Sequence, residues 1–233
     1  MIYLDHAATT PCRPEVADAM RPYFTDTFGN PSSVHEVGQN ARQALDAARD
    51  QVARLIGARS EEIIFTGGGT EADNLAIVGS FLQWRETRNH VITAATEHHA
   101  VLHTAEWLRE WGAAVTVLPV DGEGRVTPDD VRRAIRPETC LVSIMAANNE
   151  IGTLAPVAEI GAVCREAGVL FHSDAVQWAG SLPLDVREMN VDFLALTAHK
   201  FYGPKGIGVL YARRGVKFKP LIHGGGQERG RRA

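Results

Sequence analysis

The sequence predicts an α/β fold, a mainly parallel sheet flanked by helices on both faces. Three observations lead there. Short apolar runs of four to seven residues alternate with longer helical patterns along most of the 233 residues. Those runs are largely unbroken by polar residues, as strands buried on both faces require. The chemically capable residues fall mainly in the loops directly after the runs, where open α/β sheets bind their ligands.

The elements follow in chain order. Residues 13–24 and 37–56 carry helical patterns, the second with Ala41, Ala44, Leu45, Ala48, Val52 and Leu55 along one side. "EIIF" (62–65) is a short strand and "TEADNLAIVGSFLQW" (70–84) a helix. "HVITA" (90–94) is a strand, "AVLHTAEWLREW" (100–111) a helix, and "AVTVLPV" (114–120) a strand closed by the "DGEGR" turn. Thr127 as N-cap and Pro128 at the first helical position open a helix over 127–135. Strand 140–146, helix 156–167 and strands 169–173, 193–197 and 207–211 complete the pattern. The segment "HGGGQERGRRA" (223–233) is glycine-rich and basic with no apolar anchor, and it reads as a flexible tail. The expected division is an N-terminal arm over 1–15, one large domain over 16–222, and the tail.

Composition narrows the function. Apolar residues at 45% and charged residues at 22% suit an ordinary globular domain. A net charge of −4 gives no global basic footprint for nucleic acid. No apolar stretch approaches a membrane span, and the first residues lack the basic-then-apolar pattern of a signal peptide. Cys12, Cys140 and Cys164 are widely spaced, which is neither a disulfide framework nor a zinc pattern and suits a reducing cytoplasm.

Five loops converge on one edge of the predicted sheet: "TGGGT", "TEHH", "NNE", "SDAVQ" and "AHK". In "FTGGGTEADNLAI" (65–77) the glycines let backbone amides approach an anion at a helix N-terminus. The stretch lacks the ending of a P-loop and the spacing of a dinucleotide fingerprint, and it is equally a strand-to-helix turn capped by Thr70. Asp174, just past a strand, can pair with a protonated ring nitrogen or cap a helix. His98 can stack on an aromatic cofactor and carry a proton, although an isolated histidine is more often solvated or in the core. His99 and His103 are four residues apart but have no acidic partner at a metal-binding spacing, so no metal site is expected. The amides of "NN" (148–149) can donate to a ring hydroxyl or shape a turn.

Lys200 is the sharpest signal. The chain has four lysines, Lys200, Lys205, Lys217 and Lys219, and its other twenty cationic side chains are arginines. Arginine matches lysine in charge but forms no imine with an aldehyde. An imine-forming lysine must be partly unprotonated, which takes burial or cationic neighbours. Lys200 ends a strand beside His199, whereas Lys205 lies in a Gly-Pro loop. Thr197 and His199 add phosphate donors from the same turn. A phosphate loop, a stacking histidine, an aspartate for a ring nitrogen and a strand-end lysine are the working parts of a pyridoxal phosphate site.

The same residues lie in motifs that resemble the cysteine desulfurases of the NifS/IscS type: "YLDHAATTP", "FGNPSSVH", "FTGGGTEADNLAI", "TEHHAVL", "NNEIGT", "HSDAVQ", "AHKFYGPKGIG" and "GGGQERGRR". The resemblance implies the large domain of a type I PLP-dependent transferase. It implies that Lys200 holds pyridoxal 5'-phosphate as an imine, that His98 stacks on the ring and serves catalysis with Lys200, and that Asp174 pairs with the ring nitrogen. Asn149 and Gln177 would contact the ring's oxygen side, and Gly69, Thr70, Thr197 and His199 the phosphate. Thr197 stands where the family often has serine and keeps the hydroxyl. The implied reaction converts L-cysteine to L-alanine, with the sulfur passing to an enzyme cysteine and on to a sulfur acceptor or iron–sulfur scaffold protein. A homodimer is implied too. Family chains are longer, continuing into a mobile loop with the catalytic cysteine and a small C-terminal domain. None of the three cysteines here matches that position, so the resemblance implies a cofactor-binding portion that is inactive alone. A selenocysteine lyase, a sugar aminotransferase and a non-catalytic scaffold for iron–sulfur assembly are the competing readings.

Overall fold

The computed structural model describes residues 2–233. The chain opens with an arm and two short helices, α1 (Pro14–Met20) and α2 (Pro22–Thr25). One helix was expected over 13–24. Pro22 divides it, because proline lacks the amide that would continue the ladder. Then come α3 (Glu36–Leu55), β1 (Ile63–Thr66), α4 (Gly69–Trp84), β2 (His90–Ala94), α5 (His99–Arg109) and β3 (Ala114–Leu118). After these follow α6 (Pro128–Ala134), β4 (Thr139–Ser143), α7 (Val157–Glu166), β5 (Leu170–Asp174), β6 (Phe193–Thr197) and β7 (Gly208–Ala212).

The seven strands form one sheet in the order β1-β7-β6-β5-β4-β2-β3. All pairings are parallel except those of β7, which runs antiparallel to both β6 and β1. Ten residues separate β6 from β7, too few for the covered crossover that a parallel return needs. Since β7 alone is reversed, the carboxyl ends of β1, β6, β5, β4 and β2 share one edge.

Each face of the sheet has its own core. On one, α4 and α5 cover Ile64, Val91, Leu141, Phe193 and Leu210. On the other, α6, α7 and the end of α3 cover Ile63, Ile92, Val142, Phe171 and Leu194. Helix α4 is buried almost all round, with Ala72, Leu75, Ala76, Ile77, Val78 and Phe81 inaccessible, so its sequence shows no amphipathic stripe.

Three further expectations change. Strand 114–120 stops at Leu118 because Pro119 has no amide to pair. Strand 140–146 stops at Ser143, and the Met145 amide donates to the Glu97 carboxylate at 2.6 Å. The apolar side drawn for α3 is only partly covered: Leu55 is exposed, and Arg49 takes the buried place.

The segment 223–233 carries no helix or strand, as expected of a loop, yet charge anchors it. Arg49 donates to both oxygens of Glu228, at 2.6 and 3.0 Å, and both residues are buried. Glu228 also accepts the Phe65 amide at 3.0 Å, and Arg232 pairs with Glu71 at 2.7 Å. Electrostatic partners far away in sequence supply what the segment lacks in apolar residues.

Candidate active site

A cavity of about 300 Å³ opens at the shared carboxyl edge. All nine residues expected at the site line it: Gly69, Thr70, His98, Asn149, Asp174, Gln177, Thr197, His199 and Lys200. The strand-to-loop rule accounts for this convergence, because each residue stands at or after the carboxyl end of a strand that points to the same edge. His99 and His103 are exposed on α5 and stack on each other at 4.9 Å outside the cavity. Among the described residues, no group of three His, Cys, Asp or Glu is placed to hold a metal ion.

Residues 67–70 form a cradle. The amides of Gly68, Gly69 and Thr70 have no protein acceptor among the described residues and point from the start of α4. A Cβ on Gly69 would stand 2.8 Å from Val176 Cγ2, so glycine keeps this wall open. Gly208 pairs in register with both Thr66 and Thr197, and a Cβ there would stand 2.5 Å from the Gly68 carbonyl carbon. The turn therefore lies directly on β7. Thr197 is buried and donates to the Ile207 carbonyl at 3.3 Å. A second, more open hollow is lined by residues 67–71, Thr197, His199 and Lys205, and continues the cavity over the cradle.

Asp174 is buried and accepts the Val176 amide at 2.9 Å. Burial and then neighbouring Asp73 push its carboxyl up to about 7, against the Val176 amide, His172 and His98. Among the described residues this buried carboxylate makes no salt bridge. Lys200 faces the same cavity. Burial holds its amine below the usual lysine range, opposed by Asp174 and Asp5. Its Nζ donates to the Ala7 carbonyl and, at 2.9 Å, to that of Ala8. The N-terminal arm is thus one wall of the site. Gln177 Nε2 donates to the Ala7 carbonyl at 2.8 Å, and Thr10 donates through both its amide and its hydroxyl to His199 O. His98 Nδ1 accepts the Ala100 amide at 3.1 Å, which fixes the ring at the start of α5. Asn149 donates to Glu150 at 2.7 Å.

Sequence reading missed the carbonyls of Ala7 and Ala8, because backbone groups carry no residue signature. It also missed Asp73, which is 1% exposed and lines the cavity from α4. Burial pushes its carboxyl up to about 8. Its Oδ1 lies 3.4 Å from Nε2 of the fully buried His172, whose Nδ1 meets Ser143 Oγ at 2.8 Å. The available signal was an aspartate inside an otherwise apolar helix.

The sequence profile of the aminotransferase class-V family matches residues 2–230. The chain belongs to that family. Over its full length it is 54% identical to a protein named cysteine desulfurase IscS from Methanosarcina thermophila, of which it covers 57%. Among solved structures, SspA in complex with cysteine superposes with a TM-score of 0.95 at 43% identity, the match covering all of this chain and 67% of the other. A NifS-like protein superposes with a TM-score of 0.97 at 39% identity and is covered over 64% of its length. The chain therefore spans somewhat over half the length of the curated relatives it matches. The mainly parallel sheet flanked by helices on both faces is shared with these neighbours.

Proposed function

We propose that this chain binds pyridoxal 5'-phosphate through Lys200 and forms the cofactor-binding part of a cysteine desulfurase. One observation carries the reading: an amine lowered by burial, a buried carboxylate without a salt bridge and a cradle of amides without protein acceptors, all among the described residues, line one cavity of about 300 Å³. Each fits one part of the cofactor. Lys200 fits the aldehyde, Asp174 the protonated ring nitrogen, and residues 67–70 with Thr197 and His199 the phosphate. Asn149 and Gln177 stand at the cavity wall for the ring's oxygen side, and His98 for its face. The names of the relatives, and the cysteine held by SspA, support cysteine as the substrate.

Bound pyridoxal phosphate supplies an aldehyde that condenses with amines and a ring that accepts the electron pair left at the substrate's α-carbon. The chain's own residues do the rest. Asp174, once opposite a cation, stays ionised and holds the proton on the ring nitrogen. Lys200, freed from the Ala7 and Ala8 carbonyls, takes the α-proton of cysteine. His98, fixed by the Ala100 amide, passes protons at the same centre.

The sulfur must go to a thiol. None of the three cysteines lines the cavity, and burial pushes the thiols of Cys140 and Cys164 up to about 12. Neither is the acceptor, so sulfur transfer takes a thiol from outside the cavity wall described here. On this reading the 233-residue chain alone binds the cofactor without releasing sulfur from cysteine at an enzymatic rate. Exposed apolar side chains at Ile2, Leu4, Phe24, Phe28 and Val34 suit cover by a second copy in a homodimer. A sulfur-acceptor or iron–sulfur scaffold protein is the proposed onward partner. Three unpaired cysteines suit a reducing, cytoplasmic setting. No helix among the described residues is long and apolar enough to cross a membrane.

Titrating the purified chain with pyridoxal phosphate tests the reading. A visible absorbance band that saturates at one cofactor per chain and vanishes in Lys200→Ala is expected. A chain that stays colourless overturns the proposal.

A further inference from the structure

Glu71 is the acidic residue in the first turn of α4. It is the third residue of α4, directly after the cradle amides, and it lines the hollow that continues the cavity there. A glutamate at this helical position ordinarily reaches back to the N-cap amide, here that of Gly68. It would then compete with an anion for the cradle. In the structure it does not. Glu71 Oε2 accepts the amide of Gly67, one residue earlier, at 2.6 Å. Gly67 permits this approach, since a Cβ there would stand 2.9 Å from the same oxygen. Arg232 holds the carboxylate from behind, its Nε 2.7 Å from Oε1 and its Nη2 3.3 Å from Oε2. Burial alone would raise the Glu71 carboxyl, but Arg232 and the Gly67 amide outweigh it, and the net direction is downward.

Arg232 is itself fixed. Its carbonyl accepts the Glu228 amide at 3.0 Å, and Glu228 is bound to buried Arg49 and to the Phe65 amide. Ala233 donates to the Ile222 carbonyl at 3.2 Å, closing the segment on itself. The tail therefore grips β1 and the start of α4 at two points, Phe65 and Glu71.

We infer that Arg232 is a positioning residue for the phosphate cradle: it neutralises Glu71 and keeps its carboxylate off the amides of Gly68, Gly69 and Thr70. The inference rests on the proposed phosphate-bearing cofactor and deepens it. Without Arg232, an uncompensated negative charge sits beside the anion and can cap the amides meant for it. Removing Glu71 as well abolishes both effects. That sign distinguishes positioning from plain structural support, in which each loss adds to the other.

The experiment measures dissociation constants of pyridoxal phosphate by absorbance. It also measures those of inorganic phosphate from the NMR shifts of the amides of residues 67–70. The chain, Arg232→Ala, Glu71→Ala and the double variant are compared, with melting curves for each. Arg232→Ala should weaken both ligands about tenfold or more, as one uncompensated charge at close range implies. The double variant should recover most of the loss, and Glu71→Ala should bind phosphate at least as tightly as the parent. Parental affinity in Arg232→Ala, or a double variant no better than Arg232→Ala, overturns the inference and leaves the cofactor reading intact. If Arg232→Ala does not fold, Glu71→Ala decides: weakened phosphate binding there overturns the inference. A parent that takes phosphate at residues 67–70 but no pyridoxal phosphate removes the cofactor reading and keeps the inference. A parent that binds neither removes both.

Discussion

Replacing Glu228 with alanine should destabilise the chain far more than its place in a glycine-rich basic terminus suggests. Arg49 and Glu228 are 3% and 7% exposed and joined by two hydrogen bonds. Glu228→Ala leaves the guanidinium buried with, among the described residues, only the Ile63 carbonyl, 2.9 Å away, as a hydrogen-bond partner, and orphans the Phe65 amide. Breaking a buried pair from one side costs about 3–5 kcal/mol, because the remaining charge is uncompensated. A domain of this size loses about 2–4 °C of melting temperature per kcal/mol. The expected fall is thus about 6–20 °C, read by circular dichroism on the cofactor-free chain. Replacing both partners, Arg49→Met with Glu228→Leu, removes the uncompensated charge and should recover much of the loss. A Glu228→Ala melt within about 2 °C of the parent would refute the anchoring role of the tail.

Three further outcomes are expected. Above pH 6.5 the buried His90 and His172, both pushed down to about 4 by burial, are neutral in the folded chain, and in the unfolded chain they bind at most about half a proton each, fewer together than folded Asp174 and Asp73. Asp174 and Asp73 are raised to about 7 and about 8, so the folded chain binds their protons more tightly than the unfolded chain. Stability without cofactor should therefore fall from pH 6.5 to 8, and Asp73→Asn should flatten the decline; a melting temperature that rises across that window contradicts the assignment. Gly208→Ala should separate β7 from the Gly68 turn, destabilising by about 1–3 kcal/mol and weakening pyridoxal phosphate binding, whereas unchanged affinity would show that the close approach does not shape the cradle. Native thiol titration should find Cys12 alone, with Cys140 and Cys164 reacting only in denaturant; rapid labelling of all three would contradict the burial described.

Most of the site was legible because it depends on one local rule. Strands end, loops begin, and in a parallel sheet those loops share an edge. Gly69, His98, Asn149 and Lys200 stand past the ends of strands and Asp174 ends β5, so finding the strands also located the residues. Other features depend on pairings that no local pattern records. Arg49 and Glu228 are 179 positions apart, and neither departs from what an amphipathic helix or a basic tail contains. The reversed direction of β7 follows from the length of its connection rather than from its own residues. The Ala7 and Ala8 carbonyls act through backbone, and any residue in the arm offers the same oxygen. Asp73 was visible as a charge in an apolar helix, but its meaning needed the sheet, which sets it against His172 from β5.

The central claim is a covalent attachment at one amine among four lysines. Borohydride treatment of the chain with pyridoxal phosphate, followed by proteolysis and mass mapping, reads that attachment directly. The account predicts one pyridoxyl group per chain, on Lys200. Label found on Lys205, Lys217 or Lys219 in its place, or no label under saturating cofactor, would contradict it.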